Sequence, residues 1–309
     1  MTPEDEQQRA RQGILLAIGA YTMWGIAPMY FKSIAQVSPL EILSHRVIWS
    51  FFLLAALLHF GRHWRSVYYI AKDKTKIAYL IASSVLIGGN WLIFIWAVNS
   101  NHMLDASLGY YINPLINVLL GMVFLGERLR KLQWFAVVLA GCGVLVQLIV
   151  FGSVPVVAMA LAMSFGFYGL LRKKVSVDAK TGLFIETLLL LPVAAVYLLF
   201  IAETPPTSNM LTNPLALNSL LIAARGVITT LPPLLCFTGA ATRLKLSTLG
   251  FFQYIGPSLM FLLAVLMYGE PFTMDKAITF AFIWGGALVV FSFDGLRNNR
   301  HSRRIVQPQ

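Results

Sequence analysis

This sequence is poor in charge. Asp, Glu, Lys and Arg make up 12% of its 309 residues, against 58% hydrophobic residues, and the mean hydropathy is +0.72. A chain so poor in charge cannot cover a globular surface in water, so its solvent is lipid. Cysteine is nearly absent as well: Cys142 and Cys236 are the two, both inside apolar runs, where packing is their ordinary role and no disulfide framework is implied. Long polar stretches are missing too. The connections around Arg62 to Lys76 and Glu203 to Asn213 are too short to fold as soluble domains. The sequence holds no GxxxxGK[ST] phosphate cradle, no GxSxG and no HExxH, and His45, His59, His63, His102 and His301 do not stand at ligand spacing. These absences argue against an ATP-driven pump, a hydrolase and a metal centre, and no cofactor is implied.

What is present is a series of apolar runs of about 20 residues, the length of a helix that crosses a hydrocarbon core. Helices are expected because each backbone N–H and C=O must find its partner within the bilayer. The spans read as 12–31, 40–60, 77–99, 105–125, 132–150, 154–171, 183–201, 218–240, 248–268 and 276–294, an all-α polytopic membrane protein with ten transmembrane helices. The first run is too long for a signal-peptide core and lacks a small-residue cleavage site, so it reads as a retained helix.

The net charge of +11 would suit a nucleic-acid binder, but its distribution points elsewhere. Of the 24 Lys and Arg residues, 20 fall on the side that holds both termini: in the loops around Arg9, Arg62 to Lys76, Arg128 to Lys131, Arg172 to Lys180 and Arg243 to Lys245, and in the tail from Arg297 to Arg304. Only Lys32 and Lys276 lie opposite, while Arg46 and Arg225 lie inside spans. The positive-inside rule then sets both termini in the cytoplasm, and membrane lipid, not nucleic acid, is the expected partner.

The sequence also repeats itself. LGYYINPLINVLLGMVFLGE, from Leu108 to Glu127, resembles LGFFQYIGPSLMFLLAVLMYGE, from Leu249 to Glu270. In both, Leu-Gly leads into aromatics, then Pro (Pro114, Pro257), and Gly-Glu follows twelve residues later. The same register sets Trp24-Gly25 against Phe165-Gly166. Two halves of five helices result, 12–150 and 154–294, followed by a basic cytoplasmic tail, 295–309. An odd helix count makes the second half enter the membrane inverted. Inverted repeats are the architecture of alternating-access carriers, with the substrate site near the midplane. Channels and scaffolds also arise by duplication and remain alternatives.

These motifs resemble the drug/metabolite transporter superfamily, in its EamA branch. MWGIAP (Met23 to Pro28), HRVIWSFF (His45 to Phe52), GGNWLIFIWAVN (Gly88 to Asn99) and LGFFQYIGPSLMFLLAV (Leu249 to Val265) are similar to bacterial RarD-type permeases, over about Gln12 to Asp294. The resemblance implies an inner-membrane permease of small organic molecules, in a family named for a suspected link to chloramphenicol handling. It makes export the expected direction, puts helix 1 with Trp24 and Tyr21 on the cavity wall, and assigns helices 5 and 10 a supporting place. A homodimer is an admissible assembly.

Ionisable groups inside spans cost about 2.5–3.5 kcal/mol at the bilayer centre and should face a cavity or a partner. Glu41 and His45 share a face of the second span, with Arg46 beside it as a candidate for an anionic substrate group; an ion pair anchoring the helix end is the equal alternative. Glu186 falls at the repeat position of His45 and Arg46, and Glu186 or His45 is a candidate proton carrier. Arg225 matches Ser84 and has no charged counterpart. Asn90 and Trp91 follow Gly88-Gly89, which reads either as a polar cavity wall or as close helix packing. Pro114 and Pro257 are expected to interrupt corresponding helices, which makes Tyr110, Tyr111, Asn113, Gln253 and Tyr254 cavity candidates. Trp64, Trp134 and Tyr30 read as interface anchors. Glu127 and Glu270 read as ties between a helix end and nearby basic side chains. Asn213-Pro214 lies in a polar loop, so Asn113-Pro114 has no water-channel partner.

Overall fold

Each helix starts and stops where local chemistry dictates. The structure, a computed structural model, describes residues 3–35, 37–126, 154–175, 177–202 and 252–282, with shorter stretches within 134–149 and 229–243 and at 284–285. Helix α1 spans Pro3–Ser33. Helix α2, Pro39–Phe60, opens on Pro39, whose missing N–H costs nothing in a first turn, and on Glu41, whose charge suits the N-terminal dipole. After the short α3, Trp64–Lys72, comes α4, Lys74–Asn99, capped by Asp73, which accepts from the backbone N–H groups of Thr75 and Lys76 at 3.0 and 3.1 Å. Helix α5, Met103–Leu125, closes on Gly126 at φ +66, a left-handed stop that glycine takes without penalty. Helix α6, Val156–Val175, carries Arg172, Lys173 and Lys174 in its last turn, where cations meet the negative end of the dipole. Helix α7, Ala179–Phe200, is capped by Asp178, and α8, Ile255–Leu262, runs on into a π-turn at Leu263–Met267.

Every regular element among the described residues is a helix, and six of these helices are long and apolar enough to cross a membrane. They match the expected spans 12–31, 40–60, 77–99, 105–125, 154–171 and 183–201 to within a few residues. Large apolar side chains face outward, among them Leu15, Phe52, Val85, Val193, Leu199 and Leu266. Polar ones turn inward: Glu41, Arg46, Ser83, Asn90, Ser107, Asn113, Glu186 and Thr187 are all buried. That distribution reverses the order of a water-soluble protein and fits a lipid surround.

Packing is pairwise. Helix α5 lies on α6, and α4 on both α6 and α7; α2 lies on α7, α1 on α8, and α8 on α5. Small residues allow the closest approaches. A Cβ on Gly166 of α6 would stand 2.7 Å from Ile116 Cγ2 and 3.1 Å from Leu120 Cδ1 of α5. A Cβ on Gly25 of α1 would stand 2.9 Å from Leu259 of α8 and 3.1 Å from the Gly256 carbonyl.

One connection holds a helix that hydropathy does not show, and one sequence expectation changes. The connection from Arg62 to Lys76 contains helix α3, with Ile70 buried inward and Tyr68 and Tyr69 exposed outward. Nine residues of amphipathic pattern among basic side chains vanish in a span-length hydropathy average. Pro114 does not break its helix: α5 is helical from Met103 through Leu125. The interruption occurs in the other copy alone, as a turn at Gln253 and Tyr254 ahead of α8, leaving Pro257 in a first turn. The second segment carries two more residues between Leu-Gly and Pro than the first.

Candidate functional site

The expected site residues fall into separate groups, because neighbours on a helix point about 100° apart. The first group surrounds Arg46. Its guanidinium lies over the Trp91 ring at 4.4 Å, with Tyr110 and Tyr30 within electrostatic reach. A planar cation on an indole face, sheltered from water, is held there by the ring's quadrupole. Tyr110 meets Phe94 at 5.7 Å and Phe165 at 6.4 Å, centroid to centroid, and Phe165 meets Tyr168 at 5.9 Å.

This aromatic line ends on Glu186, fully buried in α7. Ser83 of α4 donates to its Oε1 at 2.5 Å and Tyr168 of α6 donates to its Oε2 at 3.2 Å, while Arg172 Nη1 stands 3.6 Å from Oε1. Three helices converge on one carboxylate. Gly182 makes room for the cation: a Cβ there would fall 1.6 Å from Arg172 Nη1. Arg172 counts as a loop charge in sequence, yet its side chain reaches back along α6 to Glu186; only its spacing of four from Tyr168 hints at this. His45 is half-buried, its Nε2 has no hydrogen-bond partner among the described residues, and it is not among the groups bonded to Glu186.

A second group lies across α5 and α8. Tyr111 shares a short hydrogen bond with Ser258, and its ring stands 5.7 Å from Tyr254, 5.8 Å from Phe280 and 5.7 Å from Trp284. Ser107 donates to the Pro257 carbonyl at 2.8 Å. Trp24 packs apart from these, against Tyr21 at 5.7 Å and Phe237 at 5.9 Å, and Gln253 is half-buried in the turn before α8.

Asn90 is a cross-helix tie. Its amide donates to the Leu161 carbonyl at 3.0 Å and to Ser164 Oγ at 2.9 Å, joining α4 to α6, while its own Oδ1 has no partner among the described residues. Asn113 is fully buried with neither end of its amide bonded among the described residues. Glu270 differs from expectation. It binds backbone, not a basic side chain: its carboxylate accepts from the N–H groups of Met103 and Leu104 at 2.9 and 2.8 Å. Its repeat counterpart Glu127, and Arg225, lie outside the described residues. Ser83, Tyr168, Arg172, Ser164 and Ser258 are the partners that the sequence reading did not single out.

The comparisons with known proteins agree with a transport role. The EamA-like transporter family matches residues 11–149. An uncharacterized transporter of Vibrio cholerae serotype O1 is 71% identical over 98% of this chain and 99% of its own. Protein RarD of Salmonella typhimurium is 63% identical over 96% of this chain and 99% of its own. A solved crystal structure at 19% identity superposes with a TM-score of 0.58 over 96% of this chain and 99% of that one, which shows a shared fold. The chain belongs to the EamA-like transporter family, in its RarD group, and is a multi-pass transporter of the bacterial inner membrane.

Proposed function

We propose that the protein is a secondary permease that moves a small organic molecule by alternating access, with export as its direction. Ten spans form two inverted five-helix halves, and both termini face the cytoplasm. One observation carries this reading. Gly25 of α1 packs on Leu259 of α8, and Gly166 of α6 packs on Ile116 of α5. The sequence repeat maps Gly25 onto Gly166 and Ile116 onto Leu259, so the two contacts exchange when the halves are exchanged. Each contact joins a helix of one half to a helix of the other, as expected of halves related by a pseudo-twofold axis and able to trade conformations.

Arg46 with Trp91 and Tyr110 forms the recognition surface for an anionic group; Trp24, Tyr111 and Asn113 of the same half and Arg225, Gln253 and Tyr254 of the other line the rest of the pathway. Glu186 carries the coupling proton, released and regained as Arg172 approaches or withdraws. The buried carboxylate with Arg172 beside it supports that role. Purified protein in liposomes, screened for counterflow of anionic and neutral metabolites with and without a pH gradient, tests the reading. Solute exchange that a gradient accelerates is the expected result; ionic current or water flux without exchange replaces the carrier by a channel.

A further inference from the structure

On the face opposite the basic loops, a set of cross-half contacts converges on the first turn of α5. Glu270 is the centre of the set. It is 4% exposed, and both oxygens are engaged by the Met103 and Leu104 N–H groups, 167 and 166 residues away in sequence. A carboxylate on two free N–H groups at a helix N-terminus satisfies donors that the helix itself leaves open and meets the positive end of its dipole. The chain is bent to deliver it. Gly269 sits at φ +63 after the π-turn, and the Glu270 N–H returns to the Ala264 carbonyl at 2.9 Å, which turns the side chain back toward α5.

Around this clasp are further ties. Lys276 Nζ stands 3.1 Å from Asp105 Oδ1, and His102 Nδ1 lies 3.1 Å from Asp105 Oδ2. Lys32, at the end of α1, bonds Asn101 and lies 5.4 Å from the Tyr268 ring centroid. Below them stand the Ser107 to Pro257 and Tyr111 to Ser258 hydrogen bonds. In the repeat, α5 belongs to one half, while Glu270 and Lys276 belong to the other.

We propose that Glu270 is the outer latch of the transport cycle: its grip on the α5 N-terminus, with Lys276 on Asp105, shuts the pathway on the outer face and must release for that face to open. This rests on the alternating-access reading. A lock made of charge on backbone dipoles suits a gate, because each broken bond finds water when the ends part, whereas an apolar contact would have to be exposed.

The test uses a reporter that needs no substrate. In a variant with Cys142 and Cys236 replaced by alanine, Ser258→Cys places a thiol beneath the latch. A membrane-impermeant trimethylammonium methanethiosulfonate reagent is then applied to right-side-out and to inside-out vesicles. Glu270→Ala is expected to speed outer labelling about tenfold or more and to slow inner labelling, the shift that loss of a charged hydrogen bond makes in a two-state equilibrium. Gly269→Ala, which strains the turn without touching the carboxylate, should act in the same direction. Asp105→Cys with Lys276→Cys, joined by a short bis-maleimide while the reporter thiol is capped from the inner face as a methanethiosulfonate disulfide that reductant then removes, should abolish outer labelling and leave inner labelling intact; this arm decides the matter if Glu270→Ala fails to fold. Unchanged rates in Glu270→Ala and Gly269→Ala, or outer labelling that survives the cross-link, overturn the latch while the parent, reached from both faces, keeps alternating access. A parent thiol reached from neither face, or from one face in every variant, overturns the two-sided pathway and the latch with it.

Discussion

Gly109 is the position where one methyl group should do most harm. It lies in α5 against α6, and a Cβ there would stand 2.7 Å from the Ala158 carbonyl oxygen, 3.1 Å from the Ala158 Cα and 3.2 Å from Leu161 Cβ. Two of those atoms are backbone, so no rotamer change relieves the clash and the helices must part. Moving them by about 0.5 Å forfeits roughly a quarter of the dispersion energy of each contact along the seam. Overpacking of this kind costs about 1–3 kcal/mol, offset by up to ~1 kcal/mol for replacing glycine within a helix. Gly109→Ala should therefore lose about 0–2 kcal/mol. Gly89 is the control, since nothing lies within 4 Å of a Cβ there and only the propensity gain remains. Gly89→Ala should gain ~0.5–1 kcal/mol. Gly166→Ala should cost about as much as Gly109→Ala, because the Cγ2 it meets at 2.7 Å sits on the branched Cβ of Ile116, whose χ1 the helix holds. Unfolding midpoints in mixed detergent measure all three. A Gly109→Ala protein as stable as Gly89→Ala would refute the packing of α5 on α6 described above.

Asn90→Ala removes both bonds from α4 to α6 and should lower stability by about 0.6–2 kcal/mol, read in the same titration. Glu186→Gln should abolish gradient-driven uptake in liposomes while sparing counterflow of the same solute; uptake that still follows the pH gradient excludes Glu186 as the proton carrier. Arg46→Lys keeps the charge but loses the planar stack on Trp91, a contribution of about 0.5–2 kcal/mol. It should weaken counterflow of an anionic solute and leave a neutral one unchanged, and equal loss for both would exclude an anion site at Arg46.

Much of the fold is readable along the chain. Hydropathy over about 20 residues found the six described spans, because in lipid a helix must satisfy its own backbone and be greasy on its surface. The likeness of Leu108–Glu127 to Leu249–Glu270 is likewise visible as a linear pattern. Span-length averages hide α3, and a proline taken alone does not say whether a helix ends: α5 continues past position 114, whereas a turn at Gln253 and Tyr254 precedes Pro257.

The candidate site was legible as a set of polar residues inside spans and not as an arrangement. Burial of Glu186, Arg46, Asn90 and Asn113 follows from composition, since an ionisable or amide group within an apolar run must turn inward. Their partners do not follow. Asn90 bonds α6 and Glu270 grips a backbone 167 residues away, each through a crossing of helices remote in sequence, while Arg172, in the last turn of α6, reaches Glu186 on the next helix. Local hydropathy sets that a segment enters the membrane, because that energy is a sum over its own residues. Which face meets which neighbour is decided by the rotation and crossing of packed helices, a property that exists only once the whole bundle has assembled.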